Sequence, residues 1–281
     1  MADHPPTVFL NEPEKWVSVK SRESILSVRF KPHAAEVKRT LDALEVVPAL
    51  KRIERSKVVG YATCFVVAEN GNSLYLLTCA HTIDHVYTAT KEISVQDINR
   101  LFDTEVVCDH QENNGLGGER KFTEAIVTRV DCKKDILLVL VDKSKLLNLK
   151  GKQCRFQHPP LVASQNLPCS LEKVVMISWP PCMNRATSVG RISHPSRHYD
   201  DVSNTNEYGY NMNLIEVDMM VAEGSSGAPL LNCRANFVGL LQGGGKECFS
   251  CFVSLSDICK KLTEWGIFPR EKVIQQKKSQ K

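Results

Sequence analysis

Gly224-Ser225-Ser226-Gly227-Ala228-Pro229 is the stretch that decides how this chain folds and what it can do. A serine hydroxyl is a weak nucleophile until a neighbouring base takes its proton and nearby amides hold the developing oxyanion. Glycine before and after the serines lets the backbone turn sharply, through torsion angles that other residues resist. Such a turn aims successive N–H groups at one point. Gly, Ser and Pro are also the commonest residues of an ordinary β-turn between strands, so the hexapeptide alone leaves both readings open. The residues upstream decide.

His81 closes the strand-like run Leu76-Leu77-Thr78-Cys79-Ala80, which places it at a strand end beside a turn. Asp135 opens Asp135-Ile136-Leu137-Leu138-Val139-Leu140-Val141, and a charge at the mouth of so apolar a strand is expensive to bury without a partner. The expected roles follow. His81 takes the Ser226 proton and later returns it to the leaving amine, while Asp135 fixes the imidazole tautomer and stabilises the imidazolium. The amides of Gly224 and Ser226 form the oxyanion hole. Cys79 points away from the cleft if its strand alternates, and reads as packing. The aliphatic stripe Ile136–Val141 reads as core.

The surrounding texture is that of strands. Val58–Val67 is rich in β-formers, Glu69-Asn70-Gly71-Asn72 reads as a hairpin turn, and Leu74–Thr78 returns. Short apolar runs recur at Thr104–Cys108, Glu124–Val130, Ile136–Val141, Val174–Ile177, Ser188–Ile192, Leu214–Val217, Pro229–Leu231, Phe237–Gln242 and Phe249–Val253. This is an all-β sandwich or barrel pattern, not an alternating βαβ one. Asp109–Lys121 and His194–Asn211 are polar and read as loops. Residues 1–30 read as an arm, and 33–47 carry Val37, Leu41 and Leu44 at helical spacing, ended by Pro48. Ile258, Leu262 and Trp265 predict a short C-terminal helix, followed by a basic, solvated tail over 266–281.

Composition narrows the function classes. The 281 residues suffice for a sizeable core, and the formal charge of +4 is small and partly confined to the tail. Lys and Arg are spread out without interleaved aromatics, which argues against a nucleic-acid partner. No apolar run reaches membrane-spanning length. The N-terminus has neither a basic region nor an apolar one like a secretory signal, so the eleven cysteines read as reduced and mostly buried, and the expected compartment is cytoplasm or nucleus. The oligomeric state is not legible.

The segments LLTCAHTI around His81, DCKKDILLVLV around Asp135 and IEVDMMVAEGSSGAPLLN around Ser226 resemble those of trypsin-like, chymotrypsin-fold serine peptidases, above all the HtrA/Deg-type branch. The order His, Asp, Ser is the same, and VVMISWPPCMNRATSVGRIS looks like the strand–loop–strand that the family carries between acid and serine. The likeness covers roughly residues 46–265. It implies two packed six-stranded antiparallel β-barrels, about 46–150 and about 160–255, an arm over 1–45 and a C-terminal helix over about 256–265, with the triad in the cleft. It implies a serine endopeptidase acting on protein or peptide substrates without a cofactor. HtrA-type relatives commonly add a C-terminal PDZ domain, but the roughly fifteen residues after the predicted last helix are too few for one, so a protease domain alone is expected. It also puts Met220 at the floor of the substrate pocket and Gln242-Gly243-Gly244 along its wall, with no acid to favour Lys or Arg.

Departures from the family's pattern carry information. Ser225 stands where digestive-type members have an aspartate that pairs with a freshly cut N-terminus, so activation by cleavage is not expected. Lys57-Val58-Val59-Gly60 looks like an activation site but lies too close to His81. Ala228 replaces a glycine and adds a methyl behind the nucleophile. Thr82 takes the place of a disulfide cysteine. For metals, Cys248 and Cys251 face opposite sides of a strand and lack a second ligand pair, and His81 and His85 lack the glutamate a zinc peptidase helix needs, so no metal is expected. The rival reading is a non-catalytic relative that keeps the fold as a peptide-binding or scaffold module.

Overall fold

The structure is a computed structural model, in which residues 12–43, 57–108, 120–147, 151–181, 185–203, 205–244 and 249–269 are described. The described residues form two closed antiparallel barrels of six strands each. The first comprises β1 (Ile25–Pro32), β2 (Gly60–Asn70), β3 (Ser73–Thr78), β4 (Phe102–Val107), β5 (Thr123–Asp131) and β6 (Ile136–Asp142), in the order β1-β2-β3-β6-β5-β4. The second comprises β7 (Lys173–Ser178), β8 (Ala186–His198), β9 (Asn213–Asp218), β10 (Pro229–Leu231), β11 (Phe237–Gly244) and β12 (Phe249–Ser254), in the order β10-β11-β12-β9-β8-β7.

The first barrel begins earlier than the sequence reading places it. Ile25–Pro32, assigned there to the arm, is a full strand closing the barrel between β2 and β4, with Val28 opposite Ala62 on one side and Val106 on the other. Its signal is the alternation of Leu26, Val28 and Phe30, all buried, with Ser27 and Arg29, a period-two pattern that does not form an apolar run. The preceding helix Pro13–Ser21 starts on a proline, whose missing N–H costs nothing there, and it buries Trp16 and Val17. The helix predicted over 33–47 is present as Ala34–Ala43, and its continuation to Pro48 lies outside the described residues.

The polar segment His194–Asn211 is a second correction. β8 continues through His198, pairing with β9 across two register shifts, and Tyr199–Val202 adds one helical turn capped by His198. One face of this strand is solvated, so its polar composition hid it. The loop read at Asp109–Lys121 lies mostly outside the described residues, as does Cys248.

Three apolar clusters hold the molecule together, and the alternation of strand faces explains them. In β6, Leu137, Val139 and Val141 fill the first barrel while Ile136 and Leu138 face the second, which is why the whole stripe is apolar. The cluster between barrels joins Phe65, Leu77 and Leu138 to Leu214, Phe237 and Leu240, and the Phe65 and Phe237 rings lie 5.3 Å apart. The C-terminal helix Leu255–Glu264, capped by Ser254, seats Ile258 and Leu262 in the same cluster. That helix also reaches the first barrel: Lys261 pairs with Asp131 at 2.8 Å, and Asp257 with Lys134 at 2.9 Å. Both ties end on the hairpin that carries Asp135.

Candidate active site

Asp135 is fully buried at the start of β6 and has φ +55°, a left-handed conformation that Asp tolerates better than most residues. Its N–H closes the turn on the Cys132 carbonyl at 3.3 Å. A buried carboxylate needs charge-assisted donors, and it has two. The His81 backbone N–H donates to Oδ1 at 2.7 Å and His81 Nδ1 lies 2.6 Å from Oδ2. An ionised carboxylate can only accept, so Nδ1 carries a proton, and when the imidazole is neutral Nε2 keeps the lone pair. Burial by itself lowers the His81 pKa, but the Asp135 charge and hydrogen bond, with help from Cys79, raise it well above its ordinary 6.5.

Around Asp135 stands a layer of tyrosines that the sequence reading missed. Tyr199 and Tyr210 meet edge to face at 4.9 Å, Tyr208 and Tyr210 lie 5.6 Å apart, and the Tyr87 and Tyr210 hydroxyls are 3.4 Å apart. Burial raises the Tyr87 and Tyr210 pKa values, and the Asp135 charge adds to both. Both phenols therefore stay neutral. Three of these rings come from residues 199–210, where tyrosines far from any apolar run gave no strand or helix signal.

The serine loop is fixed by crossed contacts between barrels. Gly224 and Gly227 have φ +83° and +81°. A side chain on Gly224 would strike Pro181, and one on Gly227 would strike Thr63 O and Thr78 Oγ1, so both positions require glycine. Thr63 of β2 is the hub. Its N–H donates to Ser226 O at 2.8 Å, its hydroxyl donates to Gly224 O at 3.2 Å and accepts from Trp179 N–H at 2.9 Å, and its carbonyl accepts from Thr78 Oγ1 at 2.8 Å. Among the described residues, the Gly224 and Ser226 N–H groups have no acceptor. Ser225 is buried and donates to Ser178 Oγ at 3.0 Å. The Ala228 methyl sits in the interior of the second barrel, and its backbone pairs normally with Leu241.

His81, Gly224 and Ser226 line one cavity of about 290 Å³, with Phe30, Phe102 and Pro181 among its other walls. Val58, Val59 and Gly60 also line it, at the start of β2. Cys79 departs from expectation. Its Sγ lies 3.6 Å from His81 Nε2 and 3.2 Å from Thr82 Oγ1, because Cys79 follows the last residue of β3 and is not bound by the strand's alternation.

The expected substrate residues divide. Gln242 and Gly244 line a second cavity of about 400 Å³ with Tyr199, Glu216, Phe249 and Cys251. Burial raises the Tyr199 pKa, and the Asp135 charge adds to the rise while His81 opposes it. Gly243 is in β11 but is not among its lining residues, and Met220 is 76% exposed and lines neither cavity. The cavity of about 400 Å³ also holds an acid that the sequence reading did not single out: Glu216, on β9, paired with Arg197 at 3.0 Å. Around His81, Asp135 and Ser226, the described residues offer no trio of converging metal ligands. No helix among them is long and apolar enough to cross a membrane.

Comparison with known proteins agrees with this architecture. The chain resembles the Rv3671c protease from M. tuberculosis in its active form, at 17% identity and a TM-score of 0.59, over 94% of this chain and 88% of that one. It resembles Deg5 at 14% identity and a TM-score of 0.58, over 91% and 96%. It also resembles the HtrA-type protease AlgW, at 12% identity and a TM-score of 0.55, over 92% of this chain and 63% of that one. At such identities the likeness concerns the fold. No curated protein sequence matches. The trypsin-like peptidase domain family matches residues 62–240, most of both barrels, and the chain belongs to that family.

Proposed function

We propose that this chain is a serine endopeptidase that hydrolyses peptide bonds through an acyl-enzyme on Ser226. The observation that carries the proposal is the 2.6 Å pair of His81 Nδ1 and Asp135 Oδ2, with His81 and Ser226 lining the same cavity. His81 Nε2 accepts the Ser226 proton as the hydroxyl attacks the substrate carbonyl. Asp135 holds the imidazole and stabilises its charged form. The Gly224 and Ser226 amides receive the oxyanion. His81 then protonates the leaving amine, and water releases the acyl group by the reverse sequence. Gln242 and Gly244, beside Tyr199, suit the chain on the acyl side of the scissile bond, where a substrate strand pairs with exposed backbone. Substrates are proteins or peptides, the chemistry needs no cofactor, and the compartment is cytoplasm or nucleus.

The non-catalytic reading has one observation in its favour: the Cys79 thiol at 3.6 Å from His81 Nε2 competes for the lone pair that Ser226 needs. A fluorophosphonate probe separates the two. The wild type should be labelled and should turn over a generic protein substrate, and Ser226→Ala should do neither. Equal labelling of Ser226→Ala would remove Ser226 as the nucleophile, and peptide binding without turnover by the wild type would favour the scaffold.

A further inference from the structure

Cys108, Cys154 and His158 converge at a site remote from the catalytic cleft. All three are buried, and their donor atoms lie within 4.8 Å of one another. Cys108 Sγ is 3.3 Å from Cys154 Sγ, which in turn is 3.3 Å from His158 Nε2. From these residues we propose a structural zinc site in the first barrel.

Four features support it. Two thiols and an imidazole are the ligand types that Zn²⁺ prefers. About 3.8 Å separates two sulfurs on one tetrahedral zinc and about 3.6 Å a sulfur and a nitrogen, given Zn–S of about 2.3 Å and Zn–N of about 2.0–2.1 Å. The observed 3.3 Å separations are only a few tenths shorter, so a small outward movement of the side chains admits the ion, whereas a disulfide would need about 2.05 Å. The imidazole is also oriented as a ligand: His158 Nδ1 lies 2.8 Å from the Glu23 carbonyl, which can only accept, so Nε2 is the unprotonated nitrogen and faces Cys154. Finally, His158 is fully buried with φ +50°, a strained conformation for a histidine that needs a local reason.

The placement gives the ion its role. Cys108 follows β4, Cys154 and His158 lie in the connection between the barrels, and Glu23 belongs to the turn before β1. Phe102, at the other end of β4, lines the catalytic cavity. At about 3.3 Å per residue the trio lies about 20 Å along that strand, so the ion takes no part in the hydrolysis. Binding requires both thiols to ionise, and their protons leave to solvent. A fourth ligand from outside the trio completes the tetrahedron. The ion then fastens the inter-barrel connection, the end of β4 and the entry to β1 to one another.

The test uses the full chain, purified without chelator under reducing conditions, then stripped and titrated with Co²⁺ alone. One zinc per chain is expected by elemental analysis. Cobalt should raise a thiolate-to-metal charge-transfer band that saturates at one equivalent and disappears when Zn²⁺ is added. Cys108→Ser and Cys154→Ser should each lose zinc and band, whereas the Cys169→Ser/Cys233→Ser pair, at exposed thiols, should keep both. The wild-type titration stands even if a single variant fails to fold. The proposal is overturned if stripped wild type gives no charge-transfer band, if Cys108→Ser retains its zinc, or if peptide mapping finds Cys108 and Cys154 joined as a disulfide in the reduced preparation.

Discussion

Thr63→Val removes one hydroxyl and almost no volume, at a buried position that touches neither Ser226 Oγ nor His81 in the contacts described. That hydroxyl accepts from Trp179 N–H at 2.9 Å and donates to Gly224 O at 3.2 Å. Valine leaves the Trp179 N–H buried without that acceptor, at a cost of about 1–3 kcal/mol. For a domain this large, each kcal/mol lowers Tm by about 2–4 °C, so a fall of about 2–12 °C is expected. The second loss is catalytic. The bond to Gly224 O anchors that residue's backbone, and glycine has no side chain to oppose correlated rotation about its φ and ψ once the bond is gone. The Gly224 N–H then spends part of its time turned away from the oxyanion. Outright removal of one oxyanion donor costs roughly 10²–10³ in kcat, and partial misorientation should cost about 10–100-fold, or about 1.4–2.7 kcal/mol. KM should change little, because the donor acts mainly on the transition state. The assay is hydrolysis at saturating peptide, well below the variant's Tm, with Thr63→Ser as the control that keeps both hydrogen bonds. An unchanged kcat in Thr63→Val, or an equal loss in Thr63→Ser, would refute the reasoning.

His81 must be neutral to accept a proton, and its pKa is raised above 6.5, so kcat/KM should climb with pH through a value above 6.5. The stability tied to the same group runs the other way. A pKa raised on folding gives stability that is fully present below about pH 6.5, the unfolded value, and lost as pH rises through the folded value. Comparing Tm against pH for wild type and His81→Gln checks this, and an acid limb at or below pH 6.5 would count against it. Gly227→Ala should destabilise by about 2–5 kcal/mol, combining about 1–2 for a left-handed alanine with about 1–3 for crowding Thr63 and Thr78. Gly71→Ala, at φ +59° with open space around it, should cost only the first part, and equal Tm losses in thermal melts would contradict the packing argument.

Local chemistry made much of this protein legible. The glycines around Ser226 are needed where left-handed backbone meets Pro181 and Thr63, and composition alone suggested both. Apolar runs marked eleven strands because those strands bury one face in a barrel and often the other against its neighbour. β1 escaped because its outward face carries Ser27 and Arg29, and an alternation that short, lying among prolines and charges, is weak evidence for a strand. Cys79 was misplaced because the strand rule was carried past the last strand residue. Met220 was assigned through the family resemblance but is largely exposed, since resemblance along the chain does not say which way a loop side chain points.

The sequence by itself determined the fold class and singled out His81, Asp135 and Ser226 as candidates, because each sits at a strand end or in a glycine-flanked turn whose local physics is distinctive. Tertiary structure alone decided what surrounds them, the Thr63 hub, the tyrosine cluster and the Glu216–Arg197 pair, and, at a distance from them, the meeting of Cys108 with Cys154 and His158. These contacts join residues far apart in the chain, brought together by barrel closure and by the packing of two barrels. Periodicity and spacing describe neighbours along a strand or helix. They hold no record of which strand ends or loops will face each other once the sheets have closed.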